Sequence, residues 1–358
     1  MRELLVLPVA PLKFAKHIIL AQRARKQRQR GCGVGPLVAS GRASFGGFSI
    51  ALLPALTLFS LLARPTIGQV SRETEGARVL RGAIDMHFHM DAPSPTGGAG
   101  QHADIAIVKV AQARGMRGLV IKNHYEPTAT LAYHLRQQIP GFELFGGIVM
   151  NRTNGGMNPV AVEYMASQIA GKPGRVVWMP AYDSEIESSP PYPKKPFVAV
   201  SRNGQLLPEV KEVISAIARN HLILASGHIA PEEALMVFRE GRRQGIEHMI
   251  ATHAMDLAGK MNMDQMMEAA KLGAIIEFDF RNVFSEGGAR ADAIRKIGPE
   301  RCLISELWTS RSPKEYAGLG GVGAFVEAMH ARGFTDHELD LMFKDNPARL
   351  LDLSPPSR

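Results

Sequence analysis

Residues 84–93 read IDMHFHMDAP, with His87 and His89 one residue apart at the end of a short apolar run. On an extended strand, residues i and i+2 share a face, so both imidazoles can close on one ion. Such a pair makes a metal site only if other ligands arrive from elsewhere in the chain. Several polar residues follow comparable apolar runs: Lys122-Asn123-His124, Ser226-Gly227-His228, Thr252-His253 and Ser305-Glu306. Imidazole suits zinc, copper, iron or nickel, and a carboxylate such as Glu306 widens the choice to manganese. The chemistry open to this set is Lewis-acid catalysis with a water nucleophile.

These residues need elements that bring distant positions to one place. From residue 81 onward, short β-rich runs alternate with helical stretches. Eight strands are predicted, at 82–89, 117–122, 143–150, 175–180, 221–227, 247–253, 273–280 and 301–307. Several intervening helical segments end in Gly, a helix stop signal. Continuous apolar strands separated by helices argue for a parallel sheet. Eight units in about 275 residues match the number and size of a (β/α)8 TIM barrel. The alternative, a doubly wound dinucleotide fold, lacks its G-x-G-x-x-G after the first strand. In a barrel the chemistry gathers at the carboxyl ends of the strands, where His87, His89, His228, His253 and Glu306 all fall. A Pro-rich insertion over residues 184–208 precedes strand five, and loops of that length often cover a site.

With those residues in view, the chain resembles the amidohydrolase superfamily of metal-dependent hydrolases. The resemblance rests on Asp85-x-His87-x-His89, single histidines after strands five and six, an acid after strand eight, and the ending DNPARLLDL. The stretches GLVIKNHYEPT, FGGIVMNRTNGGMNPVAVEYM and VVWMPAYDSE are similar to a little-characterised branch of it. The resemblance covers residues 82–353. It implies metal ligation by His87, His89, His228 and His253, with Glu306 where the superfamily usually has Asp. Strand four ends WMPAYD, without the bridging Lys found there in many members. Lys122, after strand two, is therefore the candidate bridging ligand if carbamylated; unmodified, it is a cation suited to a substrate carboxylate, and the site then holds one ion.

The expected activity is hydrolysis of a small-molecule amide, lactone, imide or ester by a metal-activated water. One or two divalent ions per chain, zinc or alternatively manganese, are the expected cofactor. Glu306 is assigned the proton transfers, and His253 is assigned to metal binding or oxyanion stabilisation. Asn123, His124 and Asn151 are candidate substrate contacts, and Asp85 is assigned to orienting a ligand or a strand end. Two alternatives stand beside this reading: a single-metal decarboxylase or hydratase on the same scaffold, and a non-catalytic metal-binding barrel. The Met-rich KMNMDQMMEAA reads as packing, and Cys302 as a small core residue.

Charge divides the chain. Residues 1–81 hold 13 Lys+Arg against 3 Asp+Glu, and the remainder holds 29 against 31, so the net +8 belongs to the leader. A near-neutral barrel excludes a basic nucleic-acid face. Residues 1–80 read as a basic leader whose apolar stretch, 48–63, resembles a signal or membrane-associating segment. If it is a signal, the protein is exported or membrane-associated; otherwise it is cytoplasmic. Any membrane contact is expected through this leader only, and the barrel, residues 81–358, is expected to form a homo-oligomer.

Overall fold

The structure, a computed structural model, describes residues 67–90, 105–256, 260–307 and 320–354. They belong to one compact unit, Ala63–Arg358. The apolar leader stretch at 48–63 lies outside the described residues. Among the described residues no helix is long and apolar enough to cross a membrane.

All eight expected strands form: β1 Ile84–His89, β2 Gly118–Lys122, β3 Glu143–Val149, β4 Gly174–Trp178, β5 Ile223–Ala225, β6 Met249–Ala251, β7 Ala274–Asp279 and β8 Cys302–Ser305. Each pairs in parallel with its sequence neighbour, in the order β1 through β8. Helices fill the connections, among them Ala129–Gln138, Pro159–Ser167, Pro208–Arg219 and Pro231–Arg243. Helix Ile67–Leu80 lies in the stretch read as leader, yet it packs against Gly320–Ala331, and its Val79 and Leu80 are fully buried.

Two apolar layers hold the barrel. Ile84, Met86, Val120, Val176, Ile223, Ile250 and Leu303 pack into its interior, whereas Phe88, Leu119, Ile121, Leu224 and Ile304 face the helices. The interior layer is completed by Ala348, Leu350 and Leu351. These come from the DNPARLLDL segment, where helix Asn346–Leu350 plugs the barrel base. Asn346 locks the plug by donating to the carbonyls of Pro299 (2.9 Å) and Cys302 (2.7 Å). Cys302 is a buried core residue, and Met261 and Met266 are packed as expected.

The seam between β8 and β1 is laced by a side chain. The Asp85 carboxylate accepts the backbone N–H groups of Glu306 (3.0 Å) and Leu307 (2.9 Å), and also that of His87 (3.0 Å). Burial lifts the Asp85 carboxyl to about 7 even against these bonds.

Candidate metal centre

Local backbone devices aim each side chain at the mouth. The β1–β2 register slips between Asp85 and Phe88, a bulge that sets two residues of β1 against one of β2. Met86 thus stays in the barrel interior while His87 and His89 both turn into the space above it, with ring centroids 4.8 Å apart. At the end of β5, Gly227 has φ +60°, and a Cβ there would lie 2.2 Å from the Met179 carbonyl oxygen. Only glycine permits this turn, which delivers His228 with its N–H bonded to the Pro180 carbonyl at 2.9 Å. His253 and Glu306, just past the ends of β6 and β8, are non-glycine residues at φ 49° and 54°. Each such conformation costs about 1–3 kcal/mol and concentrates at functional positions.

The nitrogens sort by direction. Nε2 of His253, His87 and His89 lie 3.0, 3.5 and 3.6 Å from one atom, Glu306 Oε1. Ligand atoms of His87, His253 and Glu306 fall within 4.8 Å of one another. His228 Nε2 is buried with no hydrogen-bond partner. On the far side, Nδ1 of His87 meets Glu277 Oε1 at 2.8 Å, that of His228 meets Glu187 Oε1 at 3.2 Å, and that of His253 lies 3.6 Å from Asp256 Oδ2. Metal-binding histidines characteristically give the second ring nitrogen to a carboxylate or carbonyl, which fixes the ring and raises its basicity. The donor set and the unpartnered His228 Nε2 therefore fit a divalent cation.

Electrostatics keep two of these imidazoles neutral and favour charge on a third. Burial, then the Lys122 cation, holds His87 and His228 well below the ordinary 6.5. Burial also opposes charge on His253, but Glu306 outweighs it and raises this imidazole to about 9. Glu306 in turn is kept well below 4.5 against its burial, chiefly by His253 and then His87. Burial raises Glu277.

Lys122 is fully buried, with Nζ 2.9 Å from His87 Nε2 and 5.4 Å from the Trp178 ring centroid. Trp178 is what β4 presents at this level, so strand four brings no ligand. His124 lines the mouth, its ring stacked on Tyr182 at 3.7 Å. The two asparagines are placed differently from the expectation of substrate contacts. Asn123 Oδ1 accepts the N–H groups of Tyr125 and Glu126, shaping a turn. Asn151 donates to the His124 carbonyl and accepts from Ala181 and Asp183, bracing three loops. Their amides are engaged by backbone.

Glu277, Glu187, Asp256 and Arg281 escaped the sequence reading. For Glu277 there was a signal, a carboxylate in the middle of the apolar run GAIIEFDF. Arg281 Nη2 bonds Glu306 Oε2 at 2.5 Å and Asp279 Oδ2 at 2.6 Å. Above the cluster opens a cavity of about 420 Å³, lined by His124, Tyr182, Tyr192, Lys260, Arg281 and Arg290 among others.

The model of a family of unknown function, DUF6282, matches residues 82–277. The chain belongs to that family. The DUF6282 match takes in His87, His89, Lys122, His124, His228 and His253, and ends at Glu277, before β8. No curated protein matches the chain. Among solved structures, it is similar to an amidohydrolase from Pseudomonas aeruginosa at 12% identity and TM-score 0.52, over 77% of this chain and 97% of that one. It is also similar to a double mutant of organophosphorus hydrolase from Deinococcus radiodurans, at 17% identity and TM-score 0.50, over 76% and 93%. At such identity the likeness is one of fold: the TIM barrel of these hydrolases.

Proposed function

We propose that this DUF6282 chain is a metal-dependent hydrolase of the amidohydrolase type, acting on an amide, lactone, imide or ester bond of a small molecule. One observation carries the reading: the inward Nε2 atoms gathered around Glu306 Oε1, with carboxylates facing Nδ1 of His87, His228 and His253. His87, His89, His228, His253 and Glu306 would hold the ion, zinc in preference to manganese because imidazoles dominate the set. Such an ion, when bound, supplies a Lewis acid and a lowered pKa for water.

The chain's own groups do the rest. Glu306 accepts the proton of the attacking water and returns it to the leaving nitrogen or oxygen. Arg281, bonded to Glu306 Oε2, leaves Oε1 directed at the histidines. The His124–Tyr182 stack walls one side of the cavity and orients a substrate there. Fold likeness to an amidohydrolase and to an organophosphorus hydrolase accords with this reading.

A single ion is favoured over a bridged pair, because Lys122 Nζ stands against His87 Nε2 and β4 ends in Trp178. The second reading, a single-metal decarboxylase or hydratase, draws on the same observation. Glu306→Gln separates both from a non-catalytic binder. Elemental analysis and steady-state kinetics on a panel of lactones, esters and amides should show metal retained and kcat lowered about 10²–10⁴-fold. Wild-type protein without metal after growth in zinc and manganese would refute the reading.

A further inference from the structure

We infer that Glu187, carried by the Pro-rich insertion at residues 184–208, is a positioning residue that holds His228 with its proton on Nδ1 and its Nε2 lone pair toward the cavity. The inference rests on the metal-centre reading and assigns the insertion a part in it.

The geometry builds from the turn outward. Glu187 sits in the short 3-10 helix Ile186–Ser188. That turn is tied to Ser184 twice: Glu187 N–H donates to Ser184 Oγ at 3.2 Å, and Ser188 Oγ donates to the Ser184 carbonyl at 2.9 Å. Ser184 is itself fully buried, so the anchor does not move with the surface. From this turn the carboxylate reaches His228 Nδ1 at 3.2 Å. The His228 backbone is held independently by Pro180 and by the turn that Gly227 allows. The ring then has two side-chain torsions and one choice of tautomer. A carboxylate without a proton can only accept, so the hydrogen must be on Nδ1 and the lone pair on Nε2. That Nε2 is buried and without a hydrogen-bond partner, and His228 lines the cavity.

The other carboxylates behind the histidines lie in or beside the barrel strands: Glu277 within β7, and Asp256 just past β6. Glu187 alone among them comes from the insertion, whose Tyr192 also lines the cavity mouth. The same segment therefore shapes the entrance and sets the readiness of one ligand. Carboxylate partners of this kind change metal affinity by about 10–100-fold.

The test uses the full-length chain with 15N-labelled histidine, stripped of metal and then titrated with zinc against a chelating dye. Long-range proton–nitrogen spectra report the tautomer of each imidazole, with the His228→Asn spectrum identifying the His228 signals. We expect wild-type His228 to carry its proton on Nδ1. Glu187→Leu should move it to Nε2 and weaken zinc binding about 10–100-fold. Glu187→Gln, whose amide oxygen still accepts, should keep the tautomer while losing part of the affinity. A wild-type His228 protonated on Nε2 overturns the inference, as does a Glu187→Leu protein with unchanged tautomer and unchanged zinc affinity. A chain that takes up no zinc, yet whose His228 tautomer still follows Glu187, upholds the coupling and defeats the metal-centre reading instead.

Discussion

At the scale of single residues, the histidine–Glu306 cluster is held by a proton. His253, at about 9, is cationic near neutral pH and pairs with the ionised Glu306. An imidazole must be neutral to ligate a metal. His87 and His228, held well below 6.5, are already neutral there. Zinc binding near neutral pH should therefore release about one proton per ion, from His253, and should tighten as pH rises toward about 9 before levelling. Calorimetry in buffers of different ionisation enthalpy counts that proton; a count of zero would place His253 outside the ligand set. The histidine types and their strand-end positions were legible from the chain alone. Which nitrogen of His87 and of His228 faces inward was not, because it depends on Glu277 and Glu187. Glu277 stands 190 residues from its histidine.

Among elements, the seam between β8 and β1 is the place where the barrel depends on one side chain. Asp85 accepts from the N–H groups of His87, Glu306 and Leu307, all in buried surroundings. Asp85→Ala leaves these donors unpartnered, at about 1–3 kcal/mol each. Guanidinium unfolding should show a loss of about 3 kcal/mol or more, and zinc affinity should fall with it because Glu306 is on the same seam. A loss below about 0.5 kcal/mol would mean that the seam is held otherwise. Asp85 was read as a residue that orients a ligand or a strand end; its carboxylate holds the backbones of His87, Glu306 and Leu307. The eight strands were predicted from apolar runs bounded by turns, and β5, β6 and β8 come out shorter than expected at both ends. Their outer residues leave the ladder to bend toward the mouth, as at Gly227 and at the left-handed His253 and Glu306.

For the whole molecule, the barrel keeps its packed base and its candidate site at opposite ends. Leu350 and Leu351 close the base, while the histidines and Glu306 line the mouth. Leu350→Ala should cost about 2–5 kcal/mol in thermal or denaturant unfolding and leave the zinc stoichiometry of the folded protein unchanged. Altered stoichiometry would show that the two ends are coupled. The DNPARLLDL ending, noticed first as a point of resemblance, thus has a packing role of its own.

Apolar runs of strand length, helical stretches ending in glycine and histidines at strand ends are short-range patterns, and the chain itself determined them. They carry the barrel, its order of strands and the residue types at its mouth, because in a parallel barrel each strand pairs with its neighbour in sequence. The tertiary structure decided what crosses that order. It set the bulge that turns His87 and His89 to one side, the Asp85 bonds that join the last strand to the first, and the acids behind the histidines. It also assigned Asn123 and Asn151 to bracing loops. The physical reason is range: local pattern sets which face a strand presents, whereas hydrogen bonds among buried polar groups form between whichever residues the closed barrel brings within about 3 Å.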